Sequence, residues 1–115
     1  MPRVTKAKTA KSKHKKVLAL TKGHYGARSR LYKTAKQSNI KSLQYAFRDR
    51  KVRKRNFRSL WISRISAAAR NNGLSYSILI NSMNKKNILL NRKMLSEIAI
   101  NDKEAFNKVV NTATN

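Results

Sequence analysis

Apolar residues change character along this chain near Leu60. Beyond it they recur at helical spacing. Tyr76, Leu79, Ile80 and Met83 form an i, i+3, i+4, i+7 face, Met94, Leu95 and Ile98 form a second buried face, and Phe106, Val109 and Val110 a third. Each face follows a start signal. Ser75 and Asn91 stand at N-cap positions with Leu74/Leu79 and Leu90/Leu95 at staple spacing, and Asn101 with Glu104 resembles a capping box. Phe57, Trp61, Ile65 and Ala68 fall at i, i+4, i+8 and i+11, a stripe that assigns Phe57 and Trp61 to a core. Asn72-Gly73 closes the helix bearing that stripe. The expected fold is all-α, with a small helical bundle over residues 59–115 made from the end of a long helix and three short ones. A bundle of about 55 residues buries roughly 60% of its unfolded surface, marginal but viable alone.

Before Leu60 the pattern is different. Thr5 to Leu20 is Lys-rich and ends in the apolar cluster Val17, Leu18 and Leu20, after which Gly23-His24-Tyr25-Gly26 forms a stop and hinge. From Ala27 to Asn72 there is neither Gly nor Pro, which predicts one helix of about 69 Å. Any kink belongs at Gln37-Ser38-Asn39, where short polar side chains compete for backbone hydrogen bonds. Arg48, Arg50, Lys51, Arg53, Lys54, Arg55 and Arg58 advance 100° per residue and so cover every side of this helix. With no clean apolar face between Arg48 and Asn56, the segment has little to bury and repels itself when free. Residues 1–58 are therefore expected to act as a basic helical extension.

Charge names the class of partner. The chain of 115 residues carries 28 Lys plus Arg against 4 Asp plus Glu, a net +24. Residues up to Leu60 hold 20 of those bases and one acid, Asp49, so +19 sits in the extension and +5 in the bundle. Such a distribution calls for a polyanion. A membrane-surface helix would segregate its bases from an apolar stripe, and no apolar run approaches the ~18 residues that span a bilayer. Phosphates approaching from all sides, as inside folded RNA, match the all-round charge. The absence of Cys removes disulfides, thiol catalysis and Cys-containing zinc sites. Two His and four scattered carboxylates leave little for acid–base chemistry, so no enzyme, metal, cofactor or small-molecule substrate is expected.

The candidate RNA-binding residues follow from that reading. Arg3, Lys6, Lys8, Lys11, Lys13, Lys15, Lys16, Lys22, Arg28, Arg30, Lys33, Lys36, Arg48, Arg50, Lys51, Arg53, Lys54, Arg55 and Arg58 supply cations for phosphates. His14 and His24 add donors or stacking rings, while Gly23, Tyr25, Gly26 and Ser29 form a hinge that allows close backbone approach. Tyr32, Tyr45 and Phe47 either stack on unpaired bases or pack between helices, and both readings stand. Gly23 to Gly26 also matches the GxxG loop of KH domains, which require strands not visible here. Ala69 to Leu79 has helix-turn-helix spacing, the basis of a rival reading as a DNA-binding or nucleoid-associated protein. Against it, the recognition helix would open with Ser75, Tyr76 and Ser77 and carry only Lys85 and Lys86 at its far end.

Several strings together resemble one family: Lys22 to Ser29 (KGHYGARS), Tyr45 to Arg50 (YAFRDR), Arg53 to Ile62 (RKRNFRSLWI), Arg64 to Arg70 (RISAAAR), Asn72 to Ser77 (NGLSYS) and Asn91-Arg92-Lys93. They are similar to the bacterial-type large-subunit ribosomal protein twenty family, from about Pro2 to Val110. The resemblance implies a helical extension threaded into large-subunit (23S-type) ribosomal RNA, a small domain docked on the RNA surface, neighbouring ribosomal proteins, and an early role in subunit assembly. It also implies, for some bacteria, repression of the family's own messenger RNA. Ala19 departs from a position where the family usually has a base. Because the pattern begins almost at Met1, no transit peptide is expected, and the protein is placed in a bacterial cytoplasmic or organelle-encoded ribosome.

Overall fold

A computed structural model describes residues 7–114. All regular structure among them is helical: α1 (Ala7–Leu20), a 3₁₀ turn (Gly26–Ser29), α2 (Tyr32–Asn71), α3 (Tyr76–Lys85), α4 (Arg92–Asn101) and α5 (Lys103–Thr114). The described residues divide within α2 into two compact units, with the boundary between Lys51 and Val52.

In the first unit, α1 ends where Thr21 turns its hydroxyl onto the carbonyls of Val17 (3.3 Å) and Leu18 (3.2 Å). Gly23 (φ 84°) and Gly26 (φ 62°) then occupy left-handed backbone that a side chain would strain. The predicted helix from Ala27 starts five residues late, at Tyr32. Gly26 begins a 3₁₀ turn, and the Ala27 carbonyl takes the amides of Arg30 (3.1 Å) and Leu31 (2.8 Å) as well as the Thr34 hydroxyl (2.9 Å). Nor does α2 break at Gln37-Ser38-Asn39. The Ser38 hydroxyl is engaged by His24 Nδ1 at 2.8 Å and so does not compete for the helix backbone. The His14 ring stacks on Tyr32 with centroids 3.8 Å apart, and Thr21 and Ala35 are fully buried. The start of the basic arm thus has local packing around Thr21, Ala35 and the His14–Tyr32 stack, and packing is one of the two readings the sequence leaves open for Tyr32.

In the second unit, Ile65 and Ala69 of α2, Leu79 and Met83 of α3, Leu95 of α4, and Phe106, Val110 and Ala113 of α5 form the core. Helix α5 packs on both α3 and α4. The helix ends follow capping chemistry. Gly73 (φ 72°) donates its amide to Arg70 O (2.9 Å) and Leu74 donates to Ala69 O (3.0 Å), the paired bonds of a Schellman turn. Ser75 Oγ accepts from Ile78 N (3.4 Å) and Asn91 Oδ1 from Met94 N (2.9 Å), as the sequence predicts. The third cap does not. Asn101 is the last residue of α4, and it is Asp102 whose carboxylate accepts from Ala105 N at 2.8 Å. An anion there also meets the positive end of the α5 dipole.

Burial corrects the predicted stripe. Phe57 is 49% exposed and Trp61 only half-buried, so the core of α2 begins at Ile65 and continues to Ala69 rather than through Ala68, which is partly covered. The apolar spacing is helical throughout, but the short helices cover only the last turns of α2. On α4, Met94 is 47% exposed and Ile98 half-buried, while Ser96 is buried beside Leu95 with no hydrogen-bond partner for its hydroxyl.

Candidate nucleic-acid interface

The cationic side chains that sequence reasoning selected sit on the outside. Lys8, Lys11, Lys13, Lys15 and Lys16 line α1, Lys22 opens the hinge, Arg28 lies in the 3₁₀ turn and Arg30 just after it, and Lys33 and Lys36 lie on the first turns of α2; all are exposed. Arg3 and Lys6 lie outside the described residues. Arg48, Arg50, Lys51, Arg53, Lys54, Arg55 and Arg58 are exposed on consecutive turns of α2. Because this stretch is helical, their bases point outward in all directions around the axis, a ring of positive potential rather than a stripe. Asp49 is the one acid in it, paired with Arg48 Nε at 2.7 Å on the open surface. That hydrogen bond, together with the guanidinium charge, holds the Asp49 carboxyl below its usual range. The group therefore favours the folded helix above the ordinary carboxylate pKa, and the benefit is lost as pH falls through the lowered value. Full solvent exposure keeps the pair weak.

Aromatic groups are interleaved with this charge. Arg48 lies over the Tyr45 ring at 4.8 Å and Lys51 over Phe47 at 4.3 Å, each pair leaving ring and cation in solvent. Tyr32 is different, since its ring is taken up by His14. Of the two readings for these rings, packing describes Tyr32, while Tyr45 and Phe47 remain available to a ligand.

At the hinge, Gly23 and Gly26 stand in open space, with nothing near the position a Cβ would occupy. Tyr25 between them is 93% exposed. The turn and the start of α2 enclose a concavity of about 640 Å³ bordered by Tyr25, Arg28, Gln37, Lys41 and Tyr45. Ser29 turns inward, its hydroxyl donating to Gly26 O at 3.0 Å, so it shapes the turn. His24 is half-buried with Nδ1 on Ser38, which fixes the hinge against α2. Sequence reasoning passed over Lys41. The available signal was its place four residues before Tyr45, where a helix puts both side chains on one side.

The helix-turn-helix alternative finds no support. The α2–α3 connection is a Schellman turn, the first turn of α3 presents Tyr76, Ser77 and Ile78, and its two lysines lie at its far end. Among the described residues no helix is long and apolar enough to cross a membrane.

The whole chain also has close relatives. The family model described as Ribosomal protein L20 matches residues 3–109. Over 113 residues the chain is 58% identical to the Large ribosomal subunit protein bL20 of Coxiella burnetii (strain Dugway 5J108-111), covering 98% of this chain and 95% of that protein. It is 59% identical over 113 residues to the protein of the same description from Francisella tularensis subsp. novicida (strain U112), covering 98% and 96%. The corresponding Francisella philomiragia protein is 58% identical with the same coverage.

Proposed function

The chain belongs to the ribosomal protein L20 family, and from that premise we propose that it is a structural component of the large subunit of the bacterial cytoplasmic ribosome, binding large-subunit ribosomal RNA directly. The observation that carries this reading is the exposed cationic ring of α2 from Arg48 to Arg58. A helix charged on all sides gains most where phosphates surround it, and folded ribosomal RNA offers that environment.

In this mechanism residues 1–58 form the extension and residues 59–115 the docked bundle. Lys and Arg of the extension neutralise phosphates and release their counterions. The two hinge glycines let RNA backbone approach the chain closely, and Tyr25, Tyr45 and Phe47 offer rings to unstacked bases. By neutralising RNA segments that otherwise repel one another, the extension supports early subunit assembly alongside neighbouring ribosomal proteins. A messenger RNA that shares the ribosomal fold would compete for the same surface, the basis for self-repression. The protein works as a scaffold, and its family is not an enzyme family.

Ribonuclease protection on free large-subunit ribosomal RNA tests the proposal. A discrete footprint, lost when Arg53, Lys54, Arg55 and Arg58 are replaced by Ala, is the expected result. Diffuse protection that follows duplex content alone would contradict it.

A further inference from the structure

The bundle has a groove of its own, apart from the arm. It has a volume of about 410 Å³ and is lined by Trp61 and Arg64 of α2 with Lys93, Ser96, Glu97, Ile100 and Asn101 of α4. Trp61 is half-buried, so its indole is held in place yet reachable, and Arg64, Lys93, Glu97 and Asn101 are exposed. Ser96, buried among the lining residues, carries the unpartnered hydroxyl. The groove thus combines two apolar surfaces, Trp61 and Ile100, with two cations, one carboxylate and one carboxamide, while the Ser96 hydroxyl is covered.

This set selects its ligand. A bare anion is disfavoured by Glu97, and an apolar segment would leave Arg64, Lys93 and Glu97 without partners on burial. A nucleotide within a single strand answers to the aromatic and charged groups together: the base stacks on Trp61 while Arg64 and Lys93 take the phosphates on either side. The carboxylate then decides which base. An ionised carboxylate only accepts hydrogen bonds. Guanine alone presents two adjacent donors, N1–H and the N2 amino group, on its Watson–Crick edge. Adenine and cytosine set a ring-nitrogen acceptor beside their amino donor, and uracil flanks its single N3–H with two carbonyls. We propose that this groove binds an unstacked guanine of the RNA partner, with Trp61 as the stacking surface and Glu97 as the group that reads the base. The proposal rests on the reading of the chain as an RNA-binding protein.

Trp61 is the chain's single tryptophan, so its fluorescence reports on this groove alone. The full-length protein is titrated with the oligonucleotides UUGUU and UUAUU, which carry equal charge and therefore load the basic arm equally. Salt is raised until arm binding is weak. The guanine strand should quench Trp61 at a concentration lower by on the order of tenfold, the discrimination of a bidentate base contact. Glu97 makes no salt bridge among the described residues and is exposed, so Glu97→Gln leaves the fold intact. That variant should bring the two strands to near-equal quenching without changing the salt dependence of binding. Equal quenching by both strands in the unmodified protein, or a guanine preference that survives Glu97→Gln, would overturn the groove assignment while leaving arm-mediated binding untouched. Absence of quenching by either strand at low salt would likewise overturn the groove assignment, whereas loss of the footprint on ribosomal RNA would overturn the RNA reading and this proposal together.

Discussion

At Gly73 the backbone sits at φ 72° with nothing within reach of an added Cβ. Gly73→Ala should therefore cost about 1 kcal/mol through backbone strain alone, without a steric clash, measurable as a lowered melting temperature. Side-chain burial sets the other single-residue effects. Phe106 is fully enclosed, so Phe106→Ala should cost about 3–5 kcal/mol. Trp61→Ala should cost less, about 2–3 kcal/mol, because part of its ring is still open to solvent. Phe57→Ala should leave stability within about 0.5 kcal/mol, and denaturant unfolding of the three variants would expose a wrong ordering. At this scale the caps at Ser75 and Asn91 and the turn at Gly73 were legible because each depends on residues within one helical turn. Burial of Phe57, Trp61 and Met94 was not, since helical spacing tells which side of a helix a residue faces and not how far a neighbour covers it. The choice of Asp102 over its neighbour Asn101 was equally hidden: both side chains cap, and the extent of α4 decided between them.

Among the elements, α2 is the least uniform. Its first turns carry Ala35 in full burial and hold Ser38 against His24, and its last turns hold Ile65 and Ala69 in the bundle core. From Lys41 to Lys51 every residue is exposed and the bases repel one another. Amide hydrogen exchange on the RNA-free protein should thus be slowest near Ile65 to Ala69 and fastest between Lys41 and Asn56, with RNA binding slowing the fast segment most. Uniform strong protection along α2 without RNA would contradict this. The existence of this helix was legible from its lack of Gly and Pro. Its start at Tyr32 was not, because the 3₁₀ turn depends on Thr34 reaching back to Ala27. The partner of Tyr32 was hidden for a related reason: His14 and Tyr32 are 18 positions apart, and no local pattern announces that two rings will stack.

For the molecule as a whole, the division of charge was the most legible feature, since +19 in the first 60 residues needs no fold to be counted. That count also identified the candidate interface, whose described cations are all exposed, although it could not reveal which of them border the Tyr25 concavity. The central claim is that this charge, displayed around a helix, carries the affinity for RNA. Its most direct test is the salt dependence of binding to a large-subunit ribosomal RNA fragment by the full-length protein. If about 8 phosphates are neutralised, affinity should fall on the order of 10⁴-fold between ~50 and ~200 mM salt by the duplex rule, and replacing Arg53, Lys54, Arg55 and Arg58 by Ala should flatten the slope by roughly four. A dissociation constant that hardly changes over that range, or a slope unaltered by the four substitutions, would contradict the account.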